Sequence, residues 1–90
     1  MKTAKFIKRV SGWGQSIKLW ELSEPIACHH GHTSIYVVTS SIVKGPLSPF
    51  GETMAFLAYE NGHPMCYAGL ATNEPQQHVR TVRELGYEIE

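Results

Sequence analysis

Residues 34–43, Ser-Ile-Tyr-Val-Val-Thr-Ser-Ser-Ile-Val, carry the strongest strand signal in the chain. The segment is dense in β-branched residues, which favour the extended backbone. Its apolar side chains alternate between two faces, with Tyr36, Val38 and Ile42 on one and Ile35, Val37 and Val43 on the other. A strand that is apolar on both faces is typical of the middle of a sheet. We therefore expect Ser34–Val43 to be the central strand.

Four further strands are predicted around it. Alternation of apolar and polar residues predicts strands at Ala4–Val10 and Ser16–Leu22, joined as a hairpin, with a loop at Ser23–Thr33. In the first of these, Ala4, Phe6 and Val10 share a face on which Lys8 is the exception. Beyond the centre, strands are predicted at Thr53–Tyr59 and Pro64–Ala71. The intervening Asn61-Gly62 favours a type I′ turn, because both residues tolerate positive φ.

One helix is predicted near the C-terminus. Thr72 or Asn73 suits its N-cap, Pro75 its first turn and Gly86 its C′ position. Val79, Val82 and Leu85 form the apolar stripe that would pack on the sheet. A short strand at residues 87–89 would follow. The sequence thus predicts a single α+β domain spanning residues 1–90, a mostly antiparallel sheet of about five strands with one C-terminal helix packed on one face.

Charge is distributed unevenly although the formal net charge is zero. Residues 1–20 contain five basic residues and no acidic residue, whereas residues 21–90 contain three basic residues and eight glutamates. A domain divided in this way can present a positive surface to a partner. No apolar segment follows the basic N-terminus and no stretch reaches transmembrane length, so we expect a cytoplasmic protein without a signal peptide or membrane span.

The cysteines and histidines suggest a metal site. Cys28 and His32 are four residues apart, and His63 and Cys66 are three apart. Thiolate and imidazole are ligands that tetrahedral zinc prefers, so these four residues are candidate zinc ligands. The alternative is that the histidines form a solvated loop and the cysteines fill small gaps as reduced thiols. A single disulfide between Cys28 and Cys66 is a further alternative. Under either alternative no cofactor is expected.

Enzymatic activity is not expected. A cysteine nucleophile would need Cys28 with His30, or Cys66 with His63, but catalytic partners usually come from separate segments of a chain. The sequence contains no phosphate-binding glycine loop and no paired-carboxylate pattern. A nucleic-acid site is a further alternative, in which Lys5 and Arg9 hold phosphates beside Phe6, Trp13 and Trp20. The zero net charge argues against this alternative.

Protein binding is the leading hypothesis. The chain contains more large aromatic residues than a core of this size needs, including Trp13, Tyr36, Tyr59, Tyr67 and Tyr87, and such residues often anchor interfaces. The segment Gly45–Gly51 presents Leu47 and Phe50 on a stiff loop that contains Pro46 and Pro49, or else folds back over the sheet edge. The candidate partner-binding residues are Lys5, Arg9, Trp13, Leu47 and Phe50. The chain would act as a monomer or a homodimer.

Residues 34–90 resemble a group of small phage-encoded proteins. The resemblance rests on residues 36–41 (Tyr-Val-Val-Thr-Ser-Ser), 51–58 (Gly-Glu-Thr-Met-Ala-Phe-Leu-Ala), 60–62 (Glu-Asn-Gly) and 86–89 (Gly-Tyr-Glu-Ile). The chain departs from that pattern in the Cys/His loop before Ser34 and at His63-Pro64. The resemblance implies a phage-encoded inhibitor or modulator of a host defence protein, such as an anti-CRISPR, and it transfers no functional residue.

Overall fold

The structure is a computed structural model that describes residues 1–10, 16–28, 31–42, 51–72 and 74–90. It has six strands and one helix in the order β1 (Thr3–Val10), β2 (Ser16–Ala27), β3 (Thr33–Ile42), β4 (Glu52–Ala58), β5 (Pro64–Thr72), α1 (His78–Glu84) and β6 (Glu88–Ile89). The sheet order is β5-β4-β3-β2-β1-β6, so β3 lies inside the sheet as predicted. The α+β class is confirmed.

The sheet is mostly antiparallel, as predicted, and is mixed because of β6, the short strand predicted at residues 87–89. Strands β1 to β5 form an antiparallel meander, whereas β6 pairs in parallel with β1 through Thr3↔Glu88 and Ala4↔Ile89. Backbone bonds from Glu88 N to Lys2 O (2.9 Å) and from Glu90 N to Ala4 O (2.8 Å) hold this sixth strand. The helix connects β5 to β6, which lie at opposite edges of the sheet, and so places β6 beside β1.

β2 extends five residues beyond its predicted end at Leu22, through a segment predicted as a loop. Its pairing with β3 shifts register between Glu21 and Ile26, and Pro25 lies within this shift. Proline lacks the N–H of a regular ladder but is tolerated at a bulge. The buried Tyr87 fixes the bend, because its hydroxyl donates to Glu24 O (2.9 Å) and lies 3.3 Å from Pro25 O.

A bulge in β1 changes which side chains share a face. Phe6 pairs with Trp20 but Lys8 pairs with Leu19, so Ile7 is the extra residue. Because a one-residue shift reverses side-chain direction, Ala4 and Phe6 face the helix side whereas Lys8 and Val10 face the other side. The prediction that Ala4, Phe6 and Val10 share one face is therefore wrong.

The helix begins later than predicted and is capped from the sheet. Thr72 belongs to β5, and Gln77 at the N-cap makes no side-chain cap bond. Instead, Ser41 Oγ accepts from Gln76 N (2.7 Å) and Thr53 Oγ1 accepts from Gln77 N (3.0 Å). The buried helix residues are His78, Thr81 and Val82, while Val79 is 39% exposed. The predicted stripe is thus correct for Val82 and for Leu85, which packs against the same core cluster, and Gly86 at φ +100° fits the predicted C′ position.

The β4–β5 hairpin curls the sheet towards the face opposite the helix. Gly62 N donates to Tyr59 O and Tyr59 N donates to His63 O, both at 2.9 Å. Gly62 has φ +93°, whereas Asn61 is not in the positive-φ region, so this is a three-residue loop rather than the predicted type I′ turn. Gly62 lies against Val10 of β1, although two strands separate β1 from β4 in the sheet.

We expect Gly62→Ala to destabilise the fold by about 2–3 kcal/mol. An added Cβ would stand 2.9 Å from Val10 Cγ2 in a backbone conformation that disfavours alanine. Gly31→Ala is the matched control, because Gly31 has φ +81° and no atom within 4 Å of the added Cβ. It should cost only about 1 kcal/mol. Urea denaturation of both variants measures the difference.

Adding Val10→Ala separates the steric cost from the backbone cost. In that background the loss caused by Gly62→Ala should fall to that of Gly31→Ala. An unchanged loss would contradict the proposed contact between Gly62 and Val10.

Candidate functional site

A pocket of about 450 Å³ lies on the face opposite the helix, between the end of β1 and the β4–β5 turn. Such a volume falls within the range of small-ligand and side-chain sites. Its lining comprises Lys8, Arg9, Val10, Ile17, Val38, Ser40, Phe56, Asn61, Gly62, His63 and Pro64. The pocket is therefore built from β1, β2, β3 and β4 and closed by the turn that follows β4.

Two local features create this pocket. The bulge at Ile7 turns Lys8 and Val10 onto this face, where Val10 packs beside Ile17. The turn then approaches Val10 closely at Gly62. Glycine fits there because its φ is positive and because there is no room for a Cβ beside Val10. The buried side chains beneath are those of Ile17, Leu19, Val38 and Ala58, with Tyr36 and Phe56 packed against them.

The pocket combines an apolar floor with a basic rim. Ile17, Val38 and Phe56 supply the apolar surface, whereas Lys8, Arg9 and His63 supply nitrogen-containing side chains. Among the described residues that line the pocket, none is acidic. A low-dielectric floor beside like-signed charges favours a ligand that is apolar with a negative group.

The aromatic surface continues from the pocket to the sheet edge. The rings of Phe56 and Tyr67 lie 5.6 Å apart between centroids, a distance typical of a favourable aromatic pair. Tyr67 is on β5, the outermost strand on this side of the sheet, and is 45% exposed. Pro64, at the start of the same strand, also lines the pocket.

Of the predicted partner-binding residues, Arg9 lines the pocket and Lys5 does not. Both are exposed on β1, where Lys5 pairs with Glu21 and Arg9 with Lys18. Trp13, Leu47 and Phe50 lie outside the described residues, as does most of the loop predicted to carry the last two. The pocket therefore shares one residue with the predicted set.

The aromatic residues predicted to be in surplus divide into two groups. Tyr59 and Tyr67 are exposed, in keeping with an interface role, but Tyr87 is fully packed in the core. Tyr36 is half-buried, and its hydroxyl donates to Glu21 Oε2 at 3.2 Å. Trp20 is also buried, with its ring 5.6 Å from that of Phe6, so it is not positioned to stack on a nucleic-acid base.

The predicted zinc ligands are brought together only in part. Cys66 Sγ lies 2.6 Å from Cys28 Sγ. Two sulfurs bound to one tetrahedral zinc at about 2.3 Å would be roughly 3.8 Å apart, so this contact is too close for shared metal ligation. Among the described residues no group of three or more histidine, cysteine or acidic side chains is arranged to hold a metal. The hydrogen bond to Cys28, then burial, raises the pKa of the Cys66 thiol to about 11, which disfavours Cys66 as a nucleophile.

A series of buried hydrogen bonds joins the helix to the sheet on the face opposite the pocket. Trp20 Nε1 donates to Thr39 Oγ1 (3.0 Å), and Thr39 Oγ1 is 2.7 Å from His78 Nδ1. Because the Thr39 hydroxyl accepts from Trp20, it can donate to a neutral His78. Burial first, and then Lys18 and Arg9, lower the pKa of His78 to about 4. With 3% of His78 exposed, its role is to connect buried polar groups.

Sequence patterns alone did not identify the pocket. The one signal for it was Lys8, which interrupts the apolar face of β1 because the strand contains a bulge. Phe56 and Val38 were assigned to strands, but their meeting in a cavity depends on the curl of the sheet. The contact between Cys28 and Cys66 also required the three-dimensional arrangement, since 38 residues separate them.

Comparisons with family models, curated proteins and solved structures found no match to this chain. In the described part of the chain, no helix has the length and apolar character needed to cross a membrane.

We expect stability to fall as the pH is lowered from about 6.5 to about 4, in part because of His78. Its pKa is 6.5 unperturbed and about 4 when folded, so the unfolded chain binds the proton first. The stabilisation is complete above the unfolded pKa, and up to about 3 kcal/mol is lost as the pH falls through the folded pKa.

Urea denaturation across this pH range tests the role of His78. His78→Asn keeps an acceptor near Nδ1 but does not titrate. Between pH 6.5 and about pH 4 this variant should therefore lose about 3 kcal/mol less stability than the unsubstituted protein. Parallel pH profiles for the two proteins would show that His78 does not contribute.

Proposed function

We propose that this chain is a non-enzymatic protein-binding module that receives an extended segment of its partner along β5. The observation that carries the proposal is the position of the pocket beside an uncharged edge strand. In β-strand addition, main-chain hydrogen bonds to a sheet edge supply affinity, and pockets for alternate side chains supply specificity. β5 and the adjoining pocket provide both elements.

The composition of β5 supports this use. Its nine residues, Pro-Met-Cys-Tyr-Ala-Gly-Leu-Ala-Thr, include no charged side chain. Edge strands in natural proteins commonly carry charges, prolines or bulges that prevent pairing with other chains. In β5 the proline is at the first position, and the pairing with β4 has two register shifts, so bulges but no charges interrupt this edge. A nine-residue edge without charge is expected where pairing with a partner is selected.

The charges around the pocket indicate the chemistry of the partner. Lys8 and Arg9 are exposed beside an apolar floor, and the N-terminal twenty residues carry five basic residues and no acid. Opposite charge across an interface accelerates association and selects partners. The segment we propose therefore alternates a large apolar side chain, which enters the pocket, with acidic residues that meet its rim.

A biological setting follows from the resemblance of residues 34–90 to small phage-encoded proteins. We propose that the partner is a host protein in the cytoplasm, and that binding inhibits or modulates it, as an inhibitor of a defence system such as an anti-CRISPR would. The support for this setting is the sequence resemblance, whereas the support for protein binding is the geometry of β5 and the pocket.

A library of extended peptides, displayed and selected against the immobilised protein, tests the binding mode. We expect enriched peptides to alternate apolar and acidic residues and to bind at least about 30-fold more weakly to Tyr67→Lys, because the change removes an aromatic anchor and charges the edge. Val79→Lys is the control. Val79 is 39% exposed on the helix, which packs on the face of the sheet opposite the pocket, so its replacement should leave affinity unchanged.

Comparison of Lys8→Gln with Lys5→Gln distinguishes a contact at the pocket from a general effect of positive charge on β1. Both remove one exposed positive charge from β1, but only Lys8 lines the pocket. Lys8→Gln should weaken binding about 3- to 10-fold at low salt and reduce its salt dependence, whereas Lys5→Gln should have little effect. Equal losses for the two lysines, or no effect of Tyr67→Lys, would refute the proposed site.

A further inference from the structure

Cys28 and Cys66 meet although they belong to different parts of the sheet. Cys28 follows the last residue of β2, and Cys66 lies in β5, where it pairs with Leu57. Their sulfurs are 2.6 Å apart, and both residues are half-buried. In the sheet, β3 and β4 lie between β2 and β5. The contact therefore joins the tip of the β2–β3 hairpin to the outermost strand.

The face on which they meet can be assigned from the pairing. Trp20, Val37 and Leu57 are successive partners across β2, β3 and β4, and Cys66 is the next residue in this row on β5. Trp20 and Val37 belong to the core cluster that contains Val82 of the helix. Cys66 thus faces the helix side, opposite the pocket, and Cys28 contacts it on that side.

We propose that Cys28 and Cys66 form a reversible intramolecular disulfide that fastens the β2–β3 hairpin to β5. The two sulfurs are in contact and are therefore positioned to bond. Both cysteines are only half-buried, so small oxidants can reach them. This inference is independent of any partner. It assigns the chain a redox-sensitive cross-link in place of a zinc site.

The oxidant is a low-molecular-weight disulfide such as oxidised glutathione. The contact with Cys28 and burial raise the pKa of the Cys66 thiol, which favours the Cys28 thiolate as the first nucleophile. It attacks one glutathione sulfur, forming a mixed disulfide and releasing one glutathione thiolate. Cys66 then loses its proton and attacks Cys28 Sγ, which releases the second glutathione thiolate. Two thiol protons pass to solvent, and two electrons pass from the protein to the oxidant.

Treatment of the reduced full-length chain with oxidised glutathione tests the proposal. Rapid alkylation and mass spectrometry should show loss of two hydrogens and no glutathione adduct, and peptide mapping should join Cys28 to Cys66. Dithiothreitol should restore both thiols. Because the bond closes a segment of 38 residues, the unfolding equilibrium constant should fall on the order of several hundred-fold on oxidation.

Single variants provide the matched controls. Cys28→Ser and Cys66→Ser should each stop at a mixed disulfide with one glutathione, and Cys28→Ser should react more slowly because it lacks the first nucleophile. The wild-type measurement stands by itself if either variant folds poorly.

Three results would overturn the proposal. In the first, both wild-type thiols remain open to alkylation under conditions that oxidise a reference dithiol. In the second, the product is a stable glutathione adduct or a disulfide-linked dimer. In the third, one zinc per chain is bound by protein purified without a histidine tag, and it protects both cysteines from alkylation.

Discussion

The close approach of Gly62 to Val10 is the constraint on which the shape of this protein depends. Strands β2 and β3 lie between β1 and the hairpin that carries Gly62, so the sheet must curl for the two residues to meet. The curl buries Leu19, Val38 and Ala58 on a face that the helix does not cover. It also leaves the pocket, because the turn approaches β1 only at one end of the sheet.

Apolar packing stabilises both faces of the sheet, and the helix face adds hydrogen bonds made by hydroxyl groups. On the face that curls inward, apolar side chains of neighbouring strands pack on one another. On the helix face, hydroxyl groups connect the elements: Thr39 links Trp20 to His78, and Ser41 and Thr53 hold the backbone that leads into the helix. A seven-residue helix has little stability of its own. Its position therefore depends on these bonds and on the burial of Val82.

Sequence patterns predicted the features that depend on local alternation and missed those that depend on long-range contacts. The central β3 and the hairpin around Gly62 follow from β-branched density and turn residues. The bulge at Ile7 was visible only as the misplaced Lys8. The extension of β2 through Pro25 depends on Tyr87, more than sixty residues away. Of the candidate site residues, Arg9 was predicted, but the apolar floor requires the curl of the sheet.

β5 is where these features converge. Cys66 and Tyr67 are consecutive, so their side chains point to opposite faces of the strand. Tyr67 continues the aromatic surface of the pocket, while Cys66 contacts the hairpin tip on the helix side. A cross-link at Cys66 would therefore restrict the motion of β5 without covering the face that carries Tyr67. An edge strand held in place loses less conformational entropy when a partner strand pairs with it, so oxidation of the two cysteines should favour the binding that we propose at this edge.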